Sequence, residues 1–301
     1  MLSIPLYPQS ATPSRFSLKT ALEDTFLIEG LTSNVVAEIR TMGDSLTWFG
    51  TGQGLALHDG HRIYAHQITA ELLDDGQFTN LVPQGGIPAI AVMSDTMAVA
   101  YSGDDGSIQV GYGLTLTYSA EDTSGITWTY LQQPIDNEAD TIKPFGEGYF
   151  RQLPVTVPQA NVTYDAYLSG EFLWTASWAG GLRRYHLTNK VWENVPLPMD
   201  DQDSLSLCDD EGFDVSASDS RPILTDYYLN PRDPGDGGNH NHKAFSVIVF
   251  GDTIWVGTAN GINKGILIKE IVEIQPDVFE ILDCIEWEHY SFPDDGLSGN
   301  F

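Results

Sequence analysis

The stretch GDGGNHNHK sets His240 and His242 on either side of Asn241, with Asp233 and Asp236 just upstream. Alternate residues of an extended segment point to one side, so two imidazoles and nearby carboxylates could share a divalent ion. A second acidic run, Asp200, Asp201, Asp203, Asp209, Asp210, Glu211 and Asp214 with a turn at Gly212, raises calcium as a candidate ion. Its spacing matches no known calcium loop, and a solvated acidic loop is the simpler reading. Arg183 and Arg184 bring together two of the chain's eight arginines, close to Trp178, and those three with His240 and His242 are candidate ligand contacts. No GxSxG, HExxH or P-loop pattern occurs. No cofactor is expected, and no residue is assigned a catalytic role.

Such side chains need a scaffold, and the chain supplies a repeated one. GDTIWVGTANGI (251–262) has degraded copies in GDSLTWFGTGQGL (43–55), GEFLWTASWAGGL (170–182) and SDTMAVAYSGDDGSI (94–108). In each, an acidic turn precedes a run that is apolar on both faces, which predicts a strand covered on both sides. A small residue follows, Gly257, Gly50, Ala176 or Ala100, where a neighbouring backbone can approach. Asn260-Gly261 then reads as a two-residue hairpin with positive φ at both positions. A hairpin that must be covered on both faces has to stack on its own copies. This predicts an all-β propeller of four-stranded antiparallel blades. An antiparallel sandwich is the alternative.

The expected blades are 34–68, 87–133, 160–198 and 244–292, within one domain from 16 to 301 that follows a flexible lead-in at 1–15. The repeat positions are Trp48, Gly50, Trp174, Trp255 and Gly257. In SAEDTSGITW, a turn with a carboxylate at Asp122, a corner at Gly125 and a plug at Trp128 closes the second blade. Residues 199–243 lose the register and read as a long acidic insertion. The final GLSGNF, 296–301, repeats the GLTSNV of 30–35, so the chain stops where a further repeat would start and the expected ring is an incomplete arc of about four blades.

Composition bounds the partners. Fourteen basic residues against 42 acidic ones leave a net charge of −28, which repels nucleic acid and anionic lipid. No apolar run reaches the roughly 20 residues that span a bilayer. The N-terminus lacks the basic region of a secretion signal. Cys208 and Cys284, 76 positions apart, leave one disulfide open.

GLTSN followed by WFGTGQGLALHDG, and WVGTANGI preceded by GD, resemble the two-component-regulator propeller repeat, and SAEDTSGITW resembles the Asp-box turn of sialidases. Ala98 in place of the strand Trp, Ala176 and Ala100 in place of Gly, and the acidic insertion depart from the pattern. The resemblance implies a non-catalytic recognition or scaffold module of a bacterial extracytoplasmic sensor or a secreted protein, with an unidentified ligand or protein partner. A sialidase-like or lyase-like propeller enzyme and a purely architectural spacer are the alternatives. The sialidase reading would need an arginine cluster that Arg15, Arg40, Arg62, Arg151, Arg183, Arg184, Arg221 and Arg232 do not match by position.

Overall fold

The structure, a computed structural model, describes residues 30–66, 71–73, 78–79, 85–105, 108–122, 126–146, 148–208, 213–214, 223–232, 238–275 and 278–297. Gly125, Asp233, Asp236, Asp209, Asp210, Glu211 and the expected lead-in at 1–15 lie outside them, as do residues 298–301 of the restarted repeat.

Blade one is a meander of β1 (Val36–Met42), β2 (Leu46–Thr51), β3 (Gly54–His58) and β4 (Ile63–His66). Two short strands, β5 (Glu71–Leu73) and β6 (Phe78–Thr79), follow. Blade two is β7 (Ile90–Met93), β8 (Thr96–Asp105), β9 (Ile108–Thr117) and β10 (Trp128–Leu131), and β5 extends it by pairing parallel to β10. After β11 (Ile142–Phe145) and β12 (Gly148–Gln152), blade three is β13 (Asp165–Ser169), β14 (Phe172–Ser177), β15 (Gly181–His186) and β16 (Val191–Val195). Then come β17 (Ser204–Ser206), β18 (Phe213–Asp214) and β19 (Ile223–Leu229). Blade four is β20 (Ala244–Phe250), β21 (Thr253–Thr258), β22 (Gly261–Gln275) and β23 (Val278–Tyr290), with β17 on its outer edge.

The inner strands β1, β7, β13 and β20 pack one against the next. Each junction has its own apolar core, as the two-faced strands demand. Trp48, Leu57, Ile90, Val99 and Trp128 fill the first, and Ala98, Leu114, Leu116, Leu168 and Tyr185 the second. Trp174, Val247, Ile254, Val256 and Trp287 fill the third. The four blades form a propeller-like arc, and the ring is not closed.

Three features differ from the sequence reading. The segment between blades two and three and the acidic insertion carry no strand pattern in the sequence, yet β11, β12, β19 and β18 make a fifth sheet in that order, joined by parallel pairing of β12 with β19. Its Phe145, Phe150, Leu224, Tyr227 and Leu229 share the core of blades three and four. Scattered apolar residues in a polar segment hid it, because neither strand carries the repeat motif. The hairpin turn of blade four is Ala259-Asn260, not Asn260-Gly261: Gly261 pairs with Thr258 and alone takes positive φ, +111°. Finally, Trp255 is 40% exposed, although its run reads as covered on both faces. Among the described residues, no further blade packs on that side.

Cys208 and Cys284 form a disulfide that ties the end of β17 to β23.

Candidate functional site

The blades are joined at one end by a recurring device. A hydroxyl residue closes the second strand: Thr51 Oγ1 donates to Gly54 O and accepts from Gln53 N, and Thr258 Oγ1 accepts from Asn260 N in the same way, 3.3 Å from Gly261 O, with its proton donated to Asn241 Oδ1 at 2.6 Å. Ser177 Oγ replaces it in blade three, accepting from Gly180 N at 3.2 Å and donating to Ala160 O at 3.1 Å. The segment leading into each following blade rests on the turn before it. Ile87 N donates to Thr51 O at 2.7 Å, and a Cβ at Gly50 would come within 2.6 Å of Ile87 O. A Cβ at Gly111 would overlap Asn161, and one at Gly181 would lie 2.4 Å from His242 Cε1.

His242 is therefore the plug of the junction between blades three and four. Its Nε2 lies 2.9 Å from Ala179 O, and burial pushes its pKa down to about 4. His240 to Lys243 form a turn rather than an extended segment, closed by Lys243 N donating to His240 O at 2.9 Å, so the alternation that would have paired His240 with His242 is absent. No group of three His, Cys, Asp or Glu residues among the described residues is arranged to hold a metal. Asp200 is occupied by the same turn: its carboxylate accepts the N–H groups of His240 (2.9 Å) and Asn241 (2.7 Å). Asn241 is fully buried and bonds Thr258 Oγ1, Asn263 and Pro198 O. His289 Nδ1 joins through Asn263 Oδ1 at 3.1 Å.

Arg183 and Arg184 are both buried and, as neighbours on β15, point to opposite faces. Arg183 donates to Gln133 Oε1 at 3.4 Å, and Gln133 donates to Thr163 Oγ1 at 2.5 Å. Burial lowers the Arg183 pKa to about 10, with nearby Asp136 opposing the fall. Its guanidinium lies beneath Gly180, where an added Cβ would sit 3.2 Å from Cζ. Arg184 sits 4.3 Å over the Phe172 ring and also meets Phe145 and Trp174. It pairs with Glu193 at 2.7 Å and Asp283 at 3.1 Å. The two arginines do not converge on one anion.

Trp178 occupies the β14–β15 turn and is 39% exposed at this same end. Its ring meets Phe245 edge-on at 5.4 Å, and Phe245 in turn meets Tyr164 at 5.4 Å. Lys243 places Nζ 5.1 Å over the Trp178 ring, within cation–π range. Tyr164 Oη donates to Gln109 Oε1 at 3.4 Å, and burial raises the Tyr164 pKa. Three aromatic rings and one ammonium from two blades thus make a partly open platform, on the same β14–β15 turn whose Ala179 O meets His242. Trp178 and Arg183 were legible in the sequence. Tyr164, Lys243 and Phe245 were missed, and their signal is only that each sits where the chain enters an inner strand.

A second polar cluster lies among the inner strands. Asp165 accepts Val247 N at 2.9 Å and faces Arg40 at 3.7 Å, and Arg40 also holds Glu38 at 2.5 Å. Burial raises the pKa of Asp165 and, against the pull of Arg40, that of Glu38. Arg40 also donates to Ile90 O, so this cluster links blades one, two, three and four.

The remaining repeat positions are structural. Trp48, Trp128 and Trp174 are buried in the blade junctions. A Cβ at Gly257 would lie 2.5 Å from Ser246 Oγ. In the Asp-box-like turn the carboxylate that takes the Glu121 N–H is Asp95, at 2.6 Å, while Asp122 N donates to Ser119 O.

No protein-family model matches the chain, and no curated protein does. Among solved structures, YCF48 bound to D1 peptide overlaps with a TM-score of 0.34 and 10% identity over 89% of this chain and 96% of that one. The extracellular domain of a hybrid two-component system protein from B. thetaiotaomicron overlaps at 0.28 and 17% identity. It matches 90% of this chain, which spans 37% of that domain. The computationally designed Ika8 protein overlaps at 0.27 and 9% identity, over 85% and 83% of the two chains. At TM-scores this low the overlaps carry no conclusion about ligand or partner.

Proposed function

We propose that the chain is a propeller-type recognition module that binds its ligand on the Trp178 platform. One observation carries the reading: Trp178 is exposed at a blade end while Phe245 and Lys243 meet its ring and Tyr164 backs Phe245. An exposed aromatic ring needs no such support for stability alone, and a ring already held in place binds without first being ordered. The ligand it suits has an apolar face to lie on the indole, as the rings of sugars and the side chains of peptides do. The two-component resemblance supports an extracytoplasmic sensor or secreted context. The Cys208–Cys284 disulfide fits an oxidising compartment. No helix among the described residues is long and apolar enough to cross a membrane.

The test is a titration of glycan and peptide panels by calorimetry, repeated with Trp178→Ala. Truncating a stacked aromatic costs about 1–3 kcal/mol where it carries the contact. Binding that weakens about tenfold or more in the variant supports the proposal, and binding unchanged by it sends the ligand elsewhere.

A further inference from the structure

The repeat allows one position to be compared in four blades. The residue that starts each cross-sheet row on the second strand is Trp48, Ala98, Trp174 and Trp255, paired with Arg40, Ala91, Tyr167 and Ile248 respectively. In blades one to three it is essentially inaccessible, at 0%, 0% and 1% exposure, because the next blade covers it. In blade four it is 40% exposed, Ile248 beside it 51% and Phe250 83%. Tyr290 stacks on the Trp255 ring from the fourth strand. This is an assembled half of a blade junction.

The matching half is also in the chain. The face that receives such a row is Ile90 with Val99 in blade two and Val247 with Val256 in blade four, all buried. The equivalent pair in blade one is Ile39 with Phe49, and Ile39 is 53% exposed. Each end blade therefore shows the surface that internal junctions bury, one in the donor sense and one in the acceptor sense.

We propose that the Ile248, Phe250, Trp255 and Tyr290 face of blade four docks on the Ile39 and Phe49 face of blade one in a second copy of this chain. The proposed assembly is a two-fold pair, in which both ends of both arcs are used at once and the ring closes at two copies; a rotation other than two-fold would give larger rings or filaments. The occupant is a second copy because the acceptor row, in the register of the internal junctions, is already carried by this polypeptide. With −28 charges on each copy, association must work against repulsion and is expected to strengthen as salt rises.

The experiment is sedimentation velocity with light scattering on the full chain across protein concentration, at low and high salt. The expected mass is twice 33.1 kDa, favoured by salt. Trp255→Glu and Ile39→Glu should each halve it, and mixing the two variants should restore a dimer through the one intact junction. Phe250→Asp, at the most exposed position, serves as the milder variant, with circular dichroism reporting folding. A wild-type monomer under all conditions, whether its face is open or covered by the chain's own residues 1–29, overturns the proposal. So does a dimer indifferent to Trp255→Glu and Phe250→Asp.

Discussion

At the scale of single residues, neighbours in sequence do unlike work. Arg183 and Arg184 look like one basic site, but the two-residue period of a strand sends them into different junctions. Arg184 holds three rings and two carboxylates. Arg184→Ala should cost roughly 3–5 kcal/mol, because Asp283 is left partly buried without its partner. A urea midpoint unchanged from wild type would contradict that. His66 offers a pH test. Its ring lies between Trp48 and Trp128, and burial pushes its pKa from 6.5 to about 4. The folded chain thus resists protonation more than the unfolded chain does, so the contribution is complete above pH 6.5 and is lost as pH falls toward 4. His242 acts in the same window and direction. The loss is up to ~3 kcal/mol for each ring. His66→Phe should remove part of the stability difference between pH 7 and pH 5, as read from thermal midpoints.

At the scale of elements, the blade was legible and the fifth sheet was not. The four-strand units stood out because the acidic turn, the two-faced apolar run and the small residue after it (Gly50, Ala100, Ala176, Gly257) recur in fixed order, and the structure adds Thr51, Ser177 and Thr258 beside them. Each has a local cause, a turn to close or a backbone to admit. β12 and β19 pair in parallel across about 75 residues, and nothing local announces such a partner. His240 and His242 misled for the opposite reason. Their spacing suggested metal, but whether the segment is extended or turned is decided by Asp200, forty positions away. The hydroxyl device predicts that Thr258→Val leaves the Asn260 N–H without its acceptor and Asn241 Oδ1 with Asn263 Nδ2 as its one remaining donor, at about 1–3 kcal/mol. Differential scanning calorimetry would measure it. Reducing the Cys208–Cys284 bridge should cost about 2–4 kcal/mol by freeing the unfolded chain. A midpoint insensitive to reductant would contradict this.

At the scale of the whole molecule, an arc has two kinds of surface that a closed ring does not separate. Its blade ends carry the Trp178 platform, and its two open faces carry halves of a junction. The roles are separable because Trp178 and Trp255 lie in different blades and turn away from different neighbours. Trp255→Glu should change the mass of the particle, and Trp178→Ala its affinity. The most direct test of the recognition role is a calorimetric titration of the wild-type chain and Trp178→Ala with the same glycan and peptide panel. The account predicts a ligand whose affinity falls about tenfold or more on losing the indole, in a variant that melts with the wild type. A ligand bound equally by both proteins, or no ligand in the panel for a stably folded wild type, would contradict it.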